Sequence, residues 1–160
     1  MPPRLLVIAY GNPLRSDDGV AWRAAKALLK KFPHDKVEIL CLHQLGPELA
    51  ESVSSSECVL FIDAAAAPGP PGNINIQELQ PAARQPANAP PFGHTLSPEV
   101  ILSLSLQLYG SAPRSFCATV TGAHFEHGES LSPAVAAALR DLINRIGALI
   151  EWQIHQSESC

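Results

Sequence analysis

Three acidic residues and one histidine stand where they could support metal or acid–base chemistry. Asp17 and Asp18 follow a first apolar run, Asp63 follows another run far along the chain, and His94 precedes a predicted helix start. Two facing carboxylates repel each other unless a proton or a cation lies between them. Two carboxylates with an imidazole form a mixed oxygen and nitrogen site that suits Ni, Zn or Mn. Three protein ligands leave positions open for ligands from another molecule.

Each of these residues also has a structural interpretation. Asp17 fits the N-cap of the helix that follows, and Asp18 is then left for another role because one side chain is enough to cap. Asp63 could start an Asx turn directly after its strand. His94 could be a surface or capping residue.

The remaining histidines give weaker signals. His124 and His127 lie close together, but the segment that joins them is not an HExxH motif and follows a predicted strand. We interpret this segment as a solvated loop. We name no partner for His34, His43 or His155. The sequence contains no Gly-x-Ser-x-Gly elbow and no P-loop.

The elements that must position the acidic residues are read from apolar patterning. Continuous apolar runs predict buried strands at 5–10, 37–42, 58–62 and 115–121, with Asp63 ending the third run, and alternation at 73–76 predicts an edge strand. Helices are predicted to begin near 16–18, at 47, at 97–98 and at 132–133. Ser97 caps the third helix and Gly110 ends it. Alternating strands and helices predict a single α/β domain over residues 1–160, a three-layer α/β/α sandwich with a mostly parallel sheet of about five strands.

This topology predicts where the site lies. In an open α/β sheet, ligands bind beyond the carboxyl ends of the strands, where the strand order reverses. For the order 2-1-3-4-5 that point lies between strands one and three, which carry Asp18 and Asp63. The segment 64–91 is rich in Pro, Ala, Gly and Gln, and so long an irregular stretch is usually functional or mobile. It could bring His94 back over the same crevice.

Composition excludes several function classes. The 160 residues carry a net charge of −4, with 46% hydrophobic and 16% charged residues, and no basic cluster extends beyond Lys30-Lys31, so no nucleic acid footprint is present. No run approaches the ~20 apolar residues of a membrane span, and the first run is too short for a signal peptide. We expect a cytoplasmic protein without membrane contact. The four cysteines lack CxxC spacing, and three of them are expected to be buried, inert thiols.

Four blocks of this sequence resemble the nickel–iron hydrogenase maturation endopeptidases over nearly the whole chain. The family's N-terminal signature of a Gly-Asn, an acidic pair and a Gly is similar to residues 11–20, and its second block is similar to Ile62-Asp63-Ala64 with Pro68-Gly69. His94 before Leu96-Ser97-Pro98 is similar to the third block. Leu131-Ser132-Pro133 and the last predicted helix resemble the C-terminal end.

The resemblance implies a function and a site. Asp18, Asp63 and His94 fall on the positions with which the family binds nickel, and any catalytic part they take is left open. The implied partner is the precursor of a hydrogenase large subunit, which itself supplies the nickel. The implied reaction removes a short C-terminal peptide.

Two other functions are consistent with the residues alone. A small-ligand-binding α/β domain could use Gly11 and the helix N-terminus for an anion, although the acidic pair would repel a phosphate. A non-catalytic assembly factor could dock on the hydrogenase subunit without cutting it, since the sequence shows no evident nucleophile.

Overall fold

A computed structural model describes residues 5–83 and 96–160. Its regular elements alternate between strand and helix for most of the chain. In chain order they are β1 (Leu5–Tyr10), a 3₁₀ turn (Ser16–Gly19), α1 (Val20–Lys31), β2 (Val37–Leu42), α2 (Leu49–Ser54), β3 (Cys58–Ala65), β4 (Ile74–Leu79), α3 (Pro98–Tyr109), β5 (Arg114–Thr121) and α4 (Pro133–Glu158).

The strands form one sheet in the order β2-β1-β3-β5-β4. Four strands are parallel, and β4 pairs with β5 in the antiparallel sense at the edge. The predicted α/β class, strand number and edge strand are confirmed, whereas the expected order of the last two strands was wrong. The link from Ala65 to Ile74 contains no helix, and a parallel crossover needs about a dozen residues or more. The reversal of strand order between β1 and β3 is retained.

Both faces of the sheet are covered, which explains the continuous apolar runs. In β1 the side chains of Leu5, Val7 and Ala9 join the core shared with α1 and α4, while Leu6 and Ile8 join the core shared with α2 and α3. Alternate residues of one strand therefore enter different cores. The predicted three-layer arrangement is confirmed.

The helix boundaries follow local signals where those signals are complete. At α3 the Ser97 hydroxyl accepts a hydrogen bond from the Val100 N–H at 3.3 Å, and Gly110 ends the helix in the left-handed region at φ 75°. The first helix differs from the prediction, because residues 16–19 form a 3₁₀ turn and α1 starts only at Val20. Within the described ranges, no helix is long and apolar enough to cross a membrane.

Two of the three cysteines that were expected to be buried are buried, and the third, Cys41, is not fully buried. All four are free thiols, with Cys58 and Cys117 buried, Cys41 half-buried and Cys160 exposed. Burial raises the pKa of both Cys58 and Cys117 to about 12, so neither is a reactive thiolate at neutral pH.

Candidate active site

A tight turn after β1 brings the Asp18 carboxylate back onto the end of that strand. Gly11 has φ 142°, and a Cβ at this position would overlap the main-chain oxygen of Asp18. Glycine is therefore required for the close approach. The Asn12 N–H donates to Asp18 Oδ2 at 2.7 Å. Asp18 is thereby fixed by the backbone at the carboxyl end of β1.

The neighbouring Asp17 has a purely structural role, but not the predicted one. Its buried carboxylate caps neither the 3₁₀ turn nor α1. It accepts hydrogen bonds from the N–H groups of Ala123 (2.8 Å), His124 (3.0 Å) and Ser132 (2.7 Å), and from the Ser132 hydroxyl (2.8 Å). Burial alone would raise the pKa of Asp17, but these bonds hold it below its usual value.

The 122–132 loop, residues 122–132 between β5 and α4, is bound to the turn at further points. Ser16 has an unusual positive φ of 53°. Two hydrogen bonds of 2.8 Å stabilise this conformation: the Ser16 N–H donates to the Gly128 carbonyl, and the Ser16 hydroxyl donates to the Glu126 carbonyl. The Arg15 Nε–H donates to the Phe125 carbonyl at 3.2 Å. The loop contributes mainly backbone groups, and His124, Glu126 and His127 expose their side chains, which confirms the solvated-loop interpretation.

Asp63 lies inside β3, so the prediction that it ends this strand is wrong. The strand continues to Ala65, and Asp63 pairs in register with Thr119 of β5. The Asx-turn interpretation is therefore wrong. Because Ala9 pairs with Ile62, the register places Tyr10 beside Asp63, and the Tyr10 hydroxyl donates a hydrogen bond to the Asp63 carboxylate. Tyr10 thus gives the Asp63 carboxylate a hydrogen-bond partner on the neighbouring strand.

The electrostatics of Asp63 and Asp18 are coupled. Burial raises the pKa of Asp63 to about 6, the charge of Asp18 raises it as well, and the Tyr10 hydrogen bond opposes the rise. Burial, together with the Asp63 charge, raises the pKa of Tyr10 above its ordinary value, so this hydroxyl remains a donor. The repulsion that Asp63 experiences from Asp18 is of the kind that a bound cation relieves.

Of the three predicted site residues, the structure places Asp18 and Asp63 at the carboxyl ends of β1 and β3, while His94 lies outside the described residues. Leu96, which follows His94 closely in sequence, packs against the same core as Tyr10. Within residues 5–83 and 96–160, no group of three or more His, Cys, Asp and Glu side chains is arranged to hold a metal. Binding of metal by the triad thus stays a prediction.

Sequence reasoning missed Tyr10 and Glu99. Glu99 lies in the first turn of α3, and its charge acts on Tyr10 and Cys117, so it lies near the same side of the site. The available signal for Tyr10 was its place at the end of β1, one step beyond the last buried apolar residue. Nothing in the local sequence around Glu99 indicates this placement.

The fold has solved counterparts among peptidases. The structure matches the hydrogenase maturating endopeptidase HybD from E. coli at a TM-score of 0.74 and 24% identity, covering 94% of this chain and 93% of that one. It matches the [NiFe] hydrogenase maturation protease HycI from Thermococcus kodakarensis at 0.70 and 18%, with 92% of each chain covered. For the hydrogenase 2 maturation peptidase from Thaumarchaeota archaeon SCGC_AB-539-E09 the values are 0.66 and 21%, covering 91% of this chain and 97% of that one.

No protein-family model and no curated protein matches the sequence. At these identities the structural matches establish the fold, which is the one expected from the sequence blocks around Asp18 and Asp63.

We predict that Asp17→Asn lowers the free energy of unfolding by about 2–4 kcal/mol, because an amide NH₂ would face donors and leave buried groups unsatisfied. Urea unfolding followed by circular dichroism measures the loss. The matched control is Asp141→Asn, whose exposed carboxylate pairs with Arg145 one turn away. A loss no greater than in this control would contradict the role given to Asp17.

We predict that Asp63→Asn stabilises the metal-free protein increasingly as the pH rises. Below the ordinary pKa of 3.8 the acid is protonated in both states, and above about 6 it is charged in both. Between these values the folded state binds more protons, so wild-type stability falls as the pH rises. The variant lacks this loss, which is on the order of 2–3 kcal/mol. Urea unfolding at pH 4.5 and pH 7 tests this, and an equal difference between the two proteins at both pH values would contradict it.

Proposed function

We propose that this protein is an endopeptidase that removes a C-terminal peptide from the nickel-loaded precursor of a nickel–iron hydrogenase large subunit. The observation that carries the proposal is the coupled pair Asp18 and Asp63 at the strand-order reversal of the sheet. Support comes from the fold, since the structure matches nearly the full length of proteins named as hydrogenase maturation endopeptidases.

In this proposal Asp18, Asp63 and His94 recognise the nickel ion that the precursor carries. A carboxylate pair that favours a bound proton also favours a cation in its place, and the imidazole of His94 adds a nitrogen ligand suited to nickel. The metal is part of the substrate, and the enzyme supplies ligands that complete its coordination. Cleavage thereby becomes conditional on metal insertion.

The ordering of the two carboxylates supports this recognition role. Asp18 is held by the Asn12 N–H at 2.7 Å and Asp63 by the Tyr10 hydroxyl, so neither must be immobilised when the substrate binds. Hydrolysis also needs a base to take a proton from water. The pKa of Asp63, raised to about 6, suits general-base catalysis. We assign recognition of the metal to both carboxylates. Asp63 can act as the general base only if it is not bound to the metal during hydrolysis.

We expect Asp18→Ala and His94→Ala each to lower the rate of precursor processing by about 100-fold or more, because each removes a ligand to the substrate metal. Intact-mass analysis of the nickel-loaded precursor, incubated with each variant, follows loss of the C-terminal peptide. Matched controls are Glu126→Ala and His34→Ala, which remove an exposed acid and an exposed histidine.

The variants and the wild type answer different questions. Wild-type processing rates in Asp18→Ala or His94→Ala, with the control variants also active, would remove that residue from the site. Absence of cleavage by the wild type on every nickel-loaded precursor of the source organism would overturn the peptidase proposal, and a docking role without cleavage would then be the better account.

Processing should also depend on nickel in the precursor. We expect the metal-free precursor to remain uncut by the wild-type protein over the time in which the nickel-loaded form is fully processed. The site lacks its binding partner in the metal-free substrate, and the Asp18–Asp63 repulsion is then relieved only by a proton. Intact mass of both precursor forms in parallel gives the answer, and equal cleavage of the two would exclude recognition of the metal.

A further inference from the structure

A groove lies beside the turn that carries Asp18, lined by residues of that turn, of α1, of the 122–132 loop and of α4. It has a volume of about 570 Å³ and runs from Gly19, next to Asp18, along α1 past Trp22 and Lys26. Ligand pockets usually measure about 300–1,000 Å³, so this space is large enough for a peptide segment. We call it the α1 groove.

Two cations lie on the α1 side of the groove. Arg23 and Lys26 are three residues apart on the exposed face of α1, so their side chains are neighbours. Among the ion pairs between described residues, none involves either side chain. One Nη–H group of Arg23 donates to the Glu129 carbonyl at 2.8 Å, which orients the guanidinium and leaves its other donors for a ligand. Against these two cations the groove lining has one carboxylate, that of Glu129.

The groove also has apolar surface close to the turn. The Leu14 side chain is 46% exposed although it is large and hydrophobic. Trp22 presents its ring, and its Nε1–H is already satisfied by the Leu42 carbonyl at 2.9 Å. The groove thus combines apolar and cationic lining residues, and one of its lining residues, Gly19, directly follows Asp18 in the chain.

We propose that the α1 groove binds the C-terminal end of the substrate chain, with the terminal carboxylate at Arg23 and Lys26 and apolar side chains against Leu14 and Trp22. The inference rests on the proposed function and deepens it. A segment removed from the C-terminus of a protein always ends in an α-carboxylate, and charge complementarity places that group at the paired cations. The groove would then measure the distance from the chain end to the scissile bond.

The test is a binding measurement that needs no cleavage. Synthetic peptides with the C-terminal sequence of the precursor are titrated calorimetrically into the wild-type protein, once as the free acid and once as the C-terminal amide. We expect the amide to bind about tenfold more weakly. Arg23→Gln and Lys26→Gln should each weaken binding of the free acid by about tenfold and reduce its advantage over the amide.

The control variant is Lys30→Gln. Lys30 is an exposed cation on the same helix and does not line the groove, so its loss changes the net charge equally without removing a proposed contact. Equal binding of acid and amide, undetectable binding of the free acid, or the same loss in Lys30→Gln as in Arg23→Gln would each overturn the groove proposal. The peptidase proposal fails in a different experiment. It is wrong if the nickel-loaded precursor stays uncut, even when peptide binding is found to depend on the terminal carboxylate.

Discussion

The geometry of the candidate site depends on one buried carboxylate, that of Asp17, which ties the turn after β1 to the 122–132 loop. Asp17 is fully buried and accepts four hydrogen bonds from the 122–132 loop and the start of α4. A buried charge is tolerated only when it is fully hydrogen-bonded, so the turn after β1 and the distant loop can fold only together. The same loop holds Ser16 in its unusual conformation through the Gly128 and Glu126 carbonyls, and Asp18, the next acid in the chain, lies at the end of β1.

Asp17 and Asp63 show how differently the same side chain is used. Asp17 has a full set of donors, and its pKa is lowered despite burial. Burial and the nearby charge of Asp18 raise the pKa of Asp63 to about 6, because its two partners, the Tyr10 hydroxyl and the Ala64 N–H, oppose the rise only in part. The opposite pKa shifts of these two acids distinguish a structural carboxylate from one that can gain a proton or a cation. The incomplete partnering of Asp63 is thus the feature that a ligand would complete.

The sequence predicts those features that local physics determines. Apolar runs that fill two cores identify four of the strands, and the signals at Ser97 and Gly110 identify α3. The role of Asp17 could not be predicted, because its partners lie more than 100 residues away in sequence. The extension of β3 past Asp63 likewise depends on its pairing with β5. The antiparallel edge strand follows from a connection without a helix, a signal present in the sequence but not used.

Few positions of this fold require one particular residue, which explains how the chain and the three matched structures share it at 24% identity or less. Most positions of the sheet require only an apolar side chain of suitable size, which many residues satisfy. The turn after β1 is more demanding, since Gly11 must lack a Cβ and Asp17 must fill a site built from four donors. Substitution is therefore expected to be least tolerated where backbone geometry and buried charge admit few alternatives. The exposed face of α1 is less constrained by the fold, since of Arg23 and Lys26 only Arg23 makes a hydrogen bond to the 122–132 loop among the described residues, through the Glu129 carbonyl.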